Sequence, residues 1–192
     1  MKTAVIVWGL FILILSVPAQ AYQERREFSV GAAGIETLKI TCDAGNLIVT
    51  GNAGTTDILV KADIEIKAKN AEKALKFARE QIELQLLENG REAHLKSLIG
   101  KKDRYIRIEH LGGNAIIEDG SGGILADTVG GNLDIRDGSG HIEIRRIEGS
   151  VRLSDGSGSI DVREVGGEVV VNRDTSGSRL ISNVGGNIIQ AQ

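Results

Sequence analysis

Residues 129–146 read Val-Gly-Gly-Asn-Leu-Asp-Ile-Arg-Asp-Gly-Ser-Gly-His-Ile-Glu-Ile-Arg-Arg. Apolar and polar residues alternate at 133–137 and again at 142–146, and glycine-rich segments separate the two runs. Alternation with a period of two is typical of a β-strand that buries one face. Segments rich in glycine, asparagine and serine favour turns. The stretch therefore predicts two short strands and two corners.

This stretch belongs to a series of repeats. Asp-Gly-Ser-Gly occurs at 119–122, 137–140 and 155–158, a spacing of 18 residues each time. An aliphatic residue before paired small residues recurs with nearly the same spacing, at Leu111, Val129, Ile147, Val165 and Val184. Repeats of fixed length indicate stacked structural units. We therefore expect an all-β fold: a parallel β-solenoid (β-helix or β-roll) with about 18 residues and two short strands per coil.

Stacking the coils predicts four inward columns of aliphatic residues. They are Ala115, Leu133, Val151, Val169 and Ile188; Ile117, Ile135, Leu153 and Val171; Ile124, Ile142 and Ile160; and Ala126, Ile144 and Val162. One extra residue within 172–183 places Arg179 or Leu180 at an inward position. A narrow aliphatic interior explains why 41% of the residues are hydrophobic but only 3% aromatic, and the corners explain the 25 glycines.

The N-terminus has the pattern of a secretory signal peptide. Lys2 precedes the apolar run 4–17, and Pro18 and Ala19-Gln20-Ala21 follow it. The run is shorter than the roughly 20 residues of a membrane span, and the small residues Ala19 and Ala21 lie two apart at its end. We predict a signal peptide over 1–21 and an exported protein: periplasmic, at the cell surface or secreted. An uncleaved N-terminal anchor is the alternative.

The chain contains a single cysteine, Cys42, which has no second cysteine to pair with in the chain. It lies on the same alternating side as Leu38 and Ile40. We expect a buried structural thiol, and a reactive or intermolecular thiol is the alternative.

Residues 22–110 lack the regular repeat. Strands are predicted at 28–30, 37–42, 47–50 and 58–67. Asn70 is placed to cap a helix of about 70–80, and Asn89-Gly90 predicts the turn of a β-hairpin over about 81–98. We expect this segment to cap the solenoid and shield its first strand edge, with the repeat coils in 111–192.

The outward positions carry the candidate binding residues. Stacking places Glu118 beside Arg136, Asp134 beside Arg152 and Asp127 beside Arg145, whereas Glu143 meets Asp161 and Arg145 meets Arg163. The candidates for a binding face are Asp134, Arg136, Arg152, Glu143, Arg145 and Arg163. Ile116, Val170 and Ile189 occupy outward positions as well. An ordinary solvated surface is the alternative, because exposed ion pairs contribute little. The formal net charge of −3 argues against a nucleic-acid partner.

Asp119, Asp137 and Asp155 form a further column at the corners. An aspartate before glycine commonly caps nearby backbone amides, and this is the role we expect. Calcium bound between coils by these carboxylates is the alternative, because Ca²⁺ prefers oxygen ligands. His94, His110 and His141 show no metal-ligand spacing, and no catalytic cluster is evident. We expect neither a cofactor nor enzymatic activity.

The signal peptide, the N-terminal β segment with its helix and Asn-Gly hairpin, and the tandem Gly-Gly-Asn-x-x-Ile-x-Asp-Gly-Ser-Gly coils resemble the bacterial "putative adhesin" family of exported β-solenoids. The resemblance covers roughly residues 35–192. It implies the solenoid fold and no particular catalytic or binding residue.

We therefore expect a noncatalytic exported β-solenoid that acts in cell-envelope interaction or adhesion, through its flat face or its ends. The partner would be an envelope protein or a polysaccharide. Two alternatives remain: a carbohydrate-active enzyme on a short β-helix, and a scaffold that self-associates through segment 184–191 at the solenoid end.

Overall fold

The computed structural model describes residues 13–14, 21–31, 34–42, 46–50, 57–67, 70, 72–73, 75–76, 82–89, 91–99, 104–109 and 111–190. The N-terminal strands are β1 (Leu13–Ile14), β2 (Ala21–Gly31), β3 (Thr37–Cys42), β4 (Asn46–Thr50), β5 (Asp57–Lys67), β6 (Ile82–Asn89), β7 (Glu92–Ile99) and β8 (Arg104–Glu109). The repeat strands are β9 (Asn114–Asp119), β10 (Ile124–Val129), β11 (Leu133–Asp137), β12 (Gly140–Ile147), β13 (Val151–Asp155), β14 (Gly158–Val165), β15 (Val169–Asp174), β16 (Arg179–Val184) and β17 (Ile188–Gln190).

These strands form two walls. Sheet A has the order β1-β2-β5-β8-β4-β10-β12-β14-β16, and sheet B has the order β17-β15-β13-β11-β9-β3-β7-β6. The strands are parallel from β8 to β16 in sheet A and from β7 to β17 in sheet B. Each repeat contributes one strand to each wall and turns at two corners. The predicted parallel β-solenoid is confirmed.

The strand register confirms the predicted inward columns. In sheet B, Leu133 lies between Ala115 and Val151, and in sheet A Ile142 lies between Ile124 and Ile160. The members of the columns from 115 to 171 are at most 1% exposed. Ile188, the last member of its column, lies at the open end and is 47% exposed. The side chains of the two walls form one hydrophobic cluster, which extends to Leu38 and Ile40. Like residues stack because neighbouring parallel strands lie roughly 4.8 Å apart.

The last glycine of each Asp-Gly-Ser-Gly corner allows neighbouring coils to approach closely. Gly140 has φ +148° and Gly158 has φ +145°, values that side chains of L-residues rarely adopt. A Cβ atom at Gly140 would lie 1.5 Å from the carbonyl oxygen of Gly122 in the preceding coil. Backbone therefore packs directly on backbone at this corner.

The N-terminal half contributes two coils of its own to the stack. β3 and β4 pair in parallel with β9 and β10, and β7 and β8 pair in parallel with the opposite edges of β3 and β4. The order along the axis is therefore β7–β8, β3–β4 and β9–β10, which differs from the order in the chain. Beyond β7 and β8, the strands β6 and β5 pair antiparallel with their outer edges. The solenoid thus begins well before residue 111.

The predicted helix and hairpin are both present. Glu72, Lys73, Leu75 and Lys76 are helical, and Oδ1 of Asn70 accepts a hydrogen bond from the backbone N–H of Lys73 at 2.9 Å. This is the geometry of an N-cap. β6 and β7 form an antiparallel hairpin in which Asn89 is opposite Glu92. The predicted end of the helix lies outside the described residues, as does most of the predicted signal peptide, of which Leu13–Ile14 pairs with β2.

The extra residue of the last full coil forms a bulge at Asn172. Leu153 pairs with Val171, but Ser154 pairs with Arg173. Arg179 consequently lies beside Ile160 at an inward position, which confirms one of the two predicted outcomes. Within the part of the chain that is described, no helix is long and apolar enough to cross a membrane.

Candidate functional site

The outward face of sheet B carries a column of charged and aliphatic residues. Its members, in order along the solenoid axis, are Lys39, Ile116, Asp134, Arg152, Val170 and Ile189. Arg152 lies 3.9 Å from the Asp134 carboxylate, so the charges in the middle of the column are paired. Ile189 is 47% exposed. The column therefore offers aliphatic surface on both sides of an ion pair.

A second charged cluster lies beside this column. Glu118 is 3.5 Å from Nζ of Lys39 and 3.6 Å from Arg136, so it bridges cations on two neighbouring coils. The predicted pairs of Glu118 with Arg136 and of Asp134 with Arg152 are thus confirmed. These groups are partly exposed, and their mutual attraction adds little stability.

A groove of about 440 Å³ runs along this face, across strands β3, β9, β11, β13 and β15. Strand spacing gives it a length of roughly 19 Å. It is lined by Thr37, Asn114, Ala115, Ile116, Asn132, Leu133, Asp134, Ser150, Val151, Arg152, Glu168 and Val170. The groove follows the solenoid axis, so a linear ligand would meet the same strand position once per coil.

One side of the groove is a ladder of side-chain to backbone hydrogen bonds. Oδ1 of Asn114 accepts from the backbone N–H of Asn132 at 2.8 Å, and Oδ1 of Asn132 accepts from Ser150 N–H at 2.8 Å. Oγ of Ser150 accepts from Glu168 N–H at 3.1 Å. These bonds fix the corner side chains and give the groove a rigid polar rim. The signal for this ladder in the sequence is the 18-residue spacing of Asn114 and Asn132.

The structure does not bring all six predicted binding residues together. Asp134, Arg136 and Arg152 lie on sheet B. Glu143, Arg145 and Arg163 lie on the outward face of sheet A, on the other wall. Only the first three therefore share a face with the groove.

Ion pairing on sheet A differs from the expectation. Asp127 is in register with Arg145, but its carboxylate pairs with Arg146. Arg145 pairs instead with Glu143 of its own strand. The cause is the backbone of Arg146, whose φ of +53° directs this corner residue toward the neighbouring coil, where Nε also donates to Oγ1 of Thr128 at 3.2 Å.

On sheet A, residues of like charge are neighbours in adjacent coils, but each forms an ion pair with an opposite charge on its own strand. Nη2 of Arg163 donates to Asp161 at 2.7 Å and Nε donates at 2.8 Å, because residues two apart in a strand share a face. The Asp161 carboxylate raises the pKa of Arg163. Glu143 and Arg145 form the equivalent pair one coil away. The cations of this face are therefore already bound by neighbouring carboxylates.

The corner aspartates point into the solenoid. Asp119 is 6% exposed, Asp137 is 7% exposed and Asp155 is fully buried. The register places them in one column, which Cys42 precedes and Asp174 follows. Residues 133, 135 and 137 alternate on one side of the strand, so parity alone was sufficient to place these carboxylates inside.

Turn capping by these aspartates is observed. Oδ1 of Asp137 accepts from the backbone N–H of Ser139 at 3.2 Å, and Oδ1 of Asp155 accepts from Ser157 N–H at 3.1 Å. Each bond spans two residues, the geometry of an Asx turn. Among the described residues, no group of three or more histidine, cysteine or acidic side chains is arranged to hold a metal ion.

Burial raises the pKa values of the three corner aspartates. Desolvation and the neighbouring Asp137 charge raise the pKa of Asp119 from 3.8 to about 7, although hydrogen bonds from Ser121, Gly120 and the Cys42 thiol lower it. The pKa of Asp137 rises to about 6, mainly by desolvation. The pKa of Asp155 is raised for the same reason. Cys42 is 3% exposed, which confirms the expected buried thiol.

The described histidines lie apart from each other. Nε2 of His94 is 2.9 Å from the Glu92 carboxylate, and Nδ1 of His141 is 3.1 Å from the backbone oxygen of Ser159. His110 lies outside the described residues.

No protein-family model and no curated protein matches the chain. Among solved structures, it is similar to a putative cell adhesion protein from Clostridium sporogenes, with 11% identity over 88% of this chain and 100% of the other and a TM-score of 0.35. It is also similar to a putative adhesin from Bacteroides fragilis, with 13% identity over 88% and 97% and a TM-score of 0.28. A putative adhesin from Parabacteroides distasonis shows 7% identity over 87% and 97% and a TM-score of 0.25. Their names are those of the group that the repeats resemble.

Proposed function

We propose that this protein is an exported, noncatalytic binding module that attaches to a component of the bacterial cell envelope through the groove of sheet B. One observation carries the proposal: the groove is continuous over five coils and lies between a fixed polar ladder and a column that contains Ile116 and Val170. A site that extends over many repeats suits an extended polymer, because solenoids present long binding surfaces.

The chemistry of the lining supports binding without catalysis. The Asp134 carboxylate is paired with Arg152, and the amide oxygens of Asn114 and Asn132 are engaged by backbone N–H groups. General acid–base work in glycoside hydrolysis needs two carboxyl groups placed on either side of a substrate bond. The groove is lined by two acidic residues, Asp134 and Glu168, and Asp134 is held by a cation. This arrangement suits recognition of hydroxyl and amide groups.

Binding to isolated bacterial envelopes tests the proposal. The purified protein should co-sediment with peptidoglycan sacculi or with envelope vesicles, and Arg152→Glu should reduce the bound fraction at least about fivefold. Arg163→Glu is the matched control, because Arg163 also pairs with an aspartate but lies on the opposite wall. Equal binding by both variants would place the site outside the groove. Release of soluble sugar from the sacculi, abolished by Asp134→Asn, would replace the proposal by an enzymatic one.

Self-association is a second candidate, favoured by the end of the solenoid. Leu180 is 50% exposed and Ile188 is 47% exposed, and among the described residues β16 and β17 are paired on one edge only. An open strand edge is a template for pairing with another chain. Sedimentation velocity should then show dimers or longer species that Ile188→Lys dissociates. A monomer at all concentrations would eliminate this candidate.

A further inference from the structure

Four aspartates form one column inside the solenoid. Asp119, Asp137, Asp155 and Asp174 follow each other on β9, β11, β13 and β15, with the strand spacing of roughly 4.8 Å between neighbours. The first three are at most 7% exposed, and the side chain of Asp174 is 5% exposed. Turn capping uses one oxygen of Asp137 and one of Asp155.

The remaining oxygens of the column have no hydrogen-bond partner among the described residues. These are Oδ2 of Asp137, Oδ2 of Asp155 and Oδ1 of Asp174, whereas the Asp119 carboxylate receives hydrogen bonds from Ser121, Gly120 and the Cys42 thiol. A buried acceptor without a donor is costly, and a buried charge without a partner costs more. Turn capping therefore leaves one buried oxygen of Asp137 and one of Asp155 without a donor.

One cation is available to the column. In the described part of the chain, Arg179 lies at its end and donates to Asp174. The corresponding inward positions of the other coils are Ile124, Ile142 and Ile160. At the opposite end, the titratable neighbour is the Cys42 thiol. Among the residues that the structure describes, Asp119, Asp137 and Asp155 therefore have no cation beside them.

We propose that the interior aspartate column is a proton-binding site in which protons taken up from solvent are shared between carboxyl groups of adjacent coils. A protonated carboxyl group has an O–H donor, and the unpartnered oxygen of the next aspartate is the acceptor that it requires. Each proton thus satisfies one buried oxygen and removes one buried charge. A cation would need more ligands than this arrangement supplies, because Ca²⁺ takes six to eight oxygens, and here the carboxylates follow one another in single file.

The titration of the column agrees with this assignment. The pKa of Asp119 is raised to about 7 and that of Asp137 to about 6, with desolvation as the largest cause and the next carboxylate in the column as a further cause. Such groups titrate as a coupled set. Near pH 6 the column holds protons that the same residues release in an unfolded chain, where the ordinary pKa is 3.8.

The site makes the solenoid sensitive to pH. Folding takes up protons wherever the folded pKa exceeds the unfolded one, so stability is full below about pH 4 for these groups and falls as the pH rises toward about 7. Above that value the column is fully charged and adjacent coils repel each other. Rising pH therefore weakens the contact between coils in the middle of the molecule.

Infrared or ¹³C NMR spectroscopy of the purified full chain with ¹³C-labelled aspartate tests the proposal directly. We expect protonated carboxyl signals at pH 5.5 that titrate with midpoints of about 6 to 7, well above 3.8. Asp137→Asn should remove one such signal and move the midpoint of Asp119 down, because the Asp137 charge is lost. Aspartate signals that all titrate near the ordinary value would overturn the proposal, and this measurement needs no variant to fold.

The control is Asp134→Asn, an outward aspartate on the same strand as Asp137. It should leave the high midpoints unchanged. Urea unfolding from pH 4 to 8.5 should show stability that falls with pH in the control and falls less in Asp137→Asn. Calcium should leave the melting temperature at pH 7 unchanged. A calcium-dependent increase that Asp137→Asn abolishes would assign the column to a cation instead.

Discussion

Arg179 and Asp174 form an ion pair at the open end of the aliphatic interior. Nε of Arg179 lies 2.8 Å from Oδ2 of Asp174, and Nη1 donates to Oε1 of Gln190 at 2.8 Å. The Asp174 side chain is 5% exposed, whereas that of Arg179 is 25% exposed. A cation at a position that holds isoleucine in earlier coils thus ends both the core and the carboxylate column.

Replacing Arg179 should destabilise the last coil. Arg179→Leu leaves Asp174 buried without its cation, and we expect a loss of about 1–3 kcal/mol in the free energy of urea unfolding at pH 7. Arg179→Leu combined with Asp174→Asn should recover most of the loss, because the uncompensated charge is gone. If the single variant were as stable as the original protein, the pair would have no structural role.

The close approach of two coils at Gly140 predicts that one added methyl group there strongly destabilises the protein. Gly140→Ala places a Cβ atom against the backbone of Gly122, and the φ of Gly140 is unfavourable for alanine. We expect a loss of at least about 3 kcal/mol, the upper range for overpacking a well-packed site. Gly112→Ala is the control, since a Cβ atom there meets nothing within 4 Å. Thermal unfolding followed by circular dichroism would show whether the two variants differ.

Four non-glycine corner residues in the described part of the chain have a left-handed backbone: Thr128, Arg146, Glu164 and Asn183. Glu164 has a φ of +59° and an exposed side chain. Asparagine tolerates this conformation better than glutamate. We expect Glu164→Asn to stabilise the protein by about 0.5–1 kcal/mol, a part of the roughly 1–2 kcal/mol left-handed cost. Glu164→Gln removes the same charge and should give no gain. Equal denaturation midpoints for the two variants would contradict the explanation.

The hydrogen bonds of the asparagine ladder at the rim of the groove should contribute measurably to the stability of the protein. Asn132→Ala removes the acceptor of the Ser150 N–H group. We expect a loss of about 0.5–1.5 kcal/mol, the usual net value of one hydrogen bond. Asn132→Asp keeps an acceptor oxygen and should lose less. Hydrogen exchange of the Ser150 amide provides a local measurement: protection that survives in Asn132→Ala would show that the bond is unimportant.

The sequence predicted the columns of the repeat region because two periodicities act together there. Alternation fixes which face of a strand is buried, and the 18-residue repeat fixes which residues become neighbours. The pairing of Leu133 with Ala115 and Val151 therefore followed from position alone. Asp137 has the same parity as Leu133 and Ile135, but the prediction for it was turn capping, and its burial is a finding of the structure.

Other features depended on backbone detail that the repeat does not specify. Arg145 and Arg146 are adjacent in the sequence, and only the left-handed φ of Arg146 explains why it, and not Arg145, binds Asp127. The six outward candidates lie on two different walls. Outward positions on the two walls look alike in the sequence but face opposite directions in space.

By itself, the sequence determined the coil, its corners and the aliphatic interior, because these depend on local alternation repeated at constant length. The tertiary structure alone decided the position of β3–β4 between β7–β8 and β9–β10, since pairing between distant strands leaves no periodic trace. It also decided that Cys42 borders the aspartate column, and that this column, enclosed between two walls, is withdrawn from water. Burial of a corner carboxylate requires every neighbouring coil to be in place.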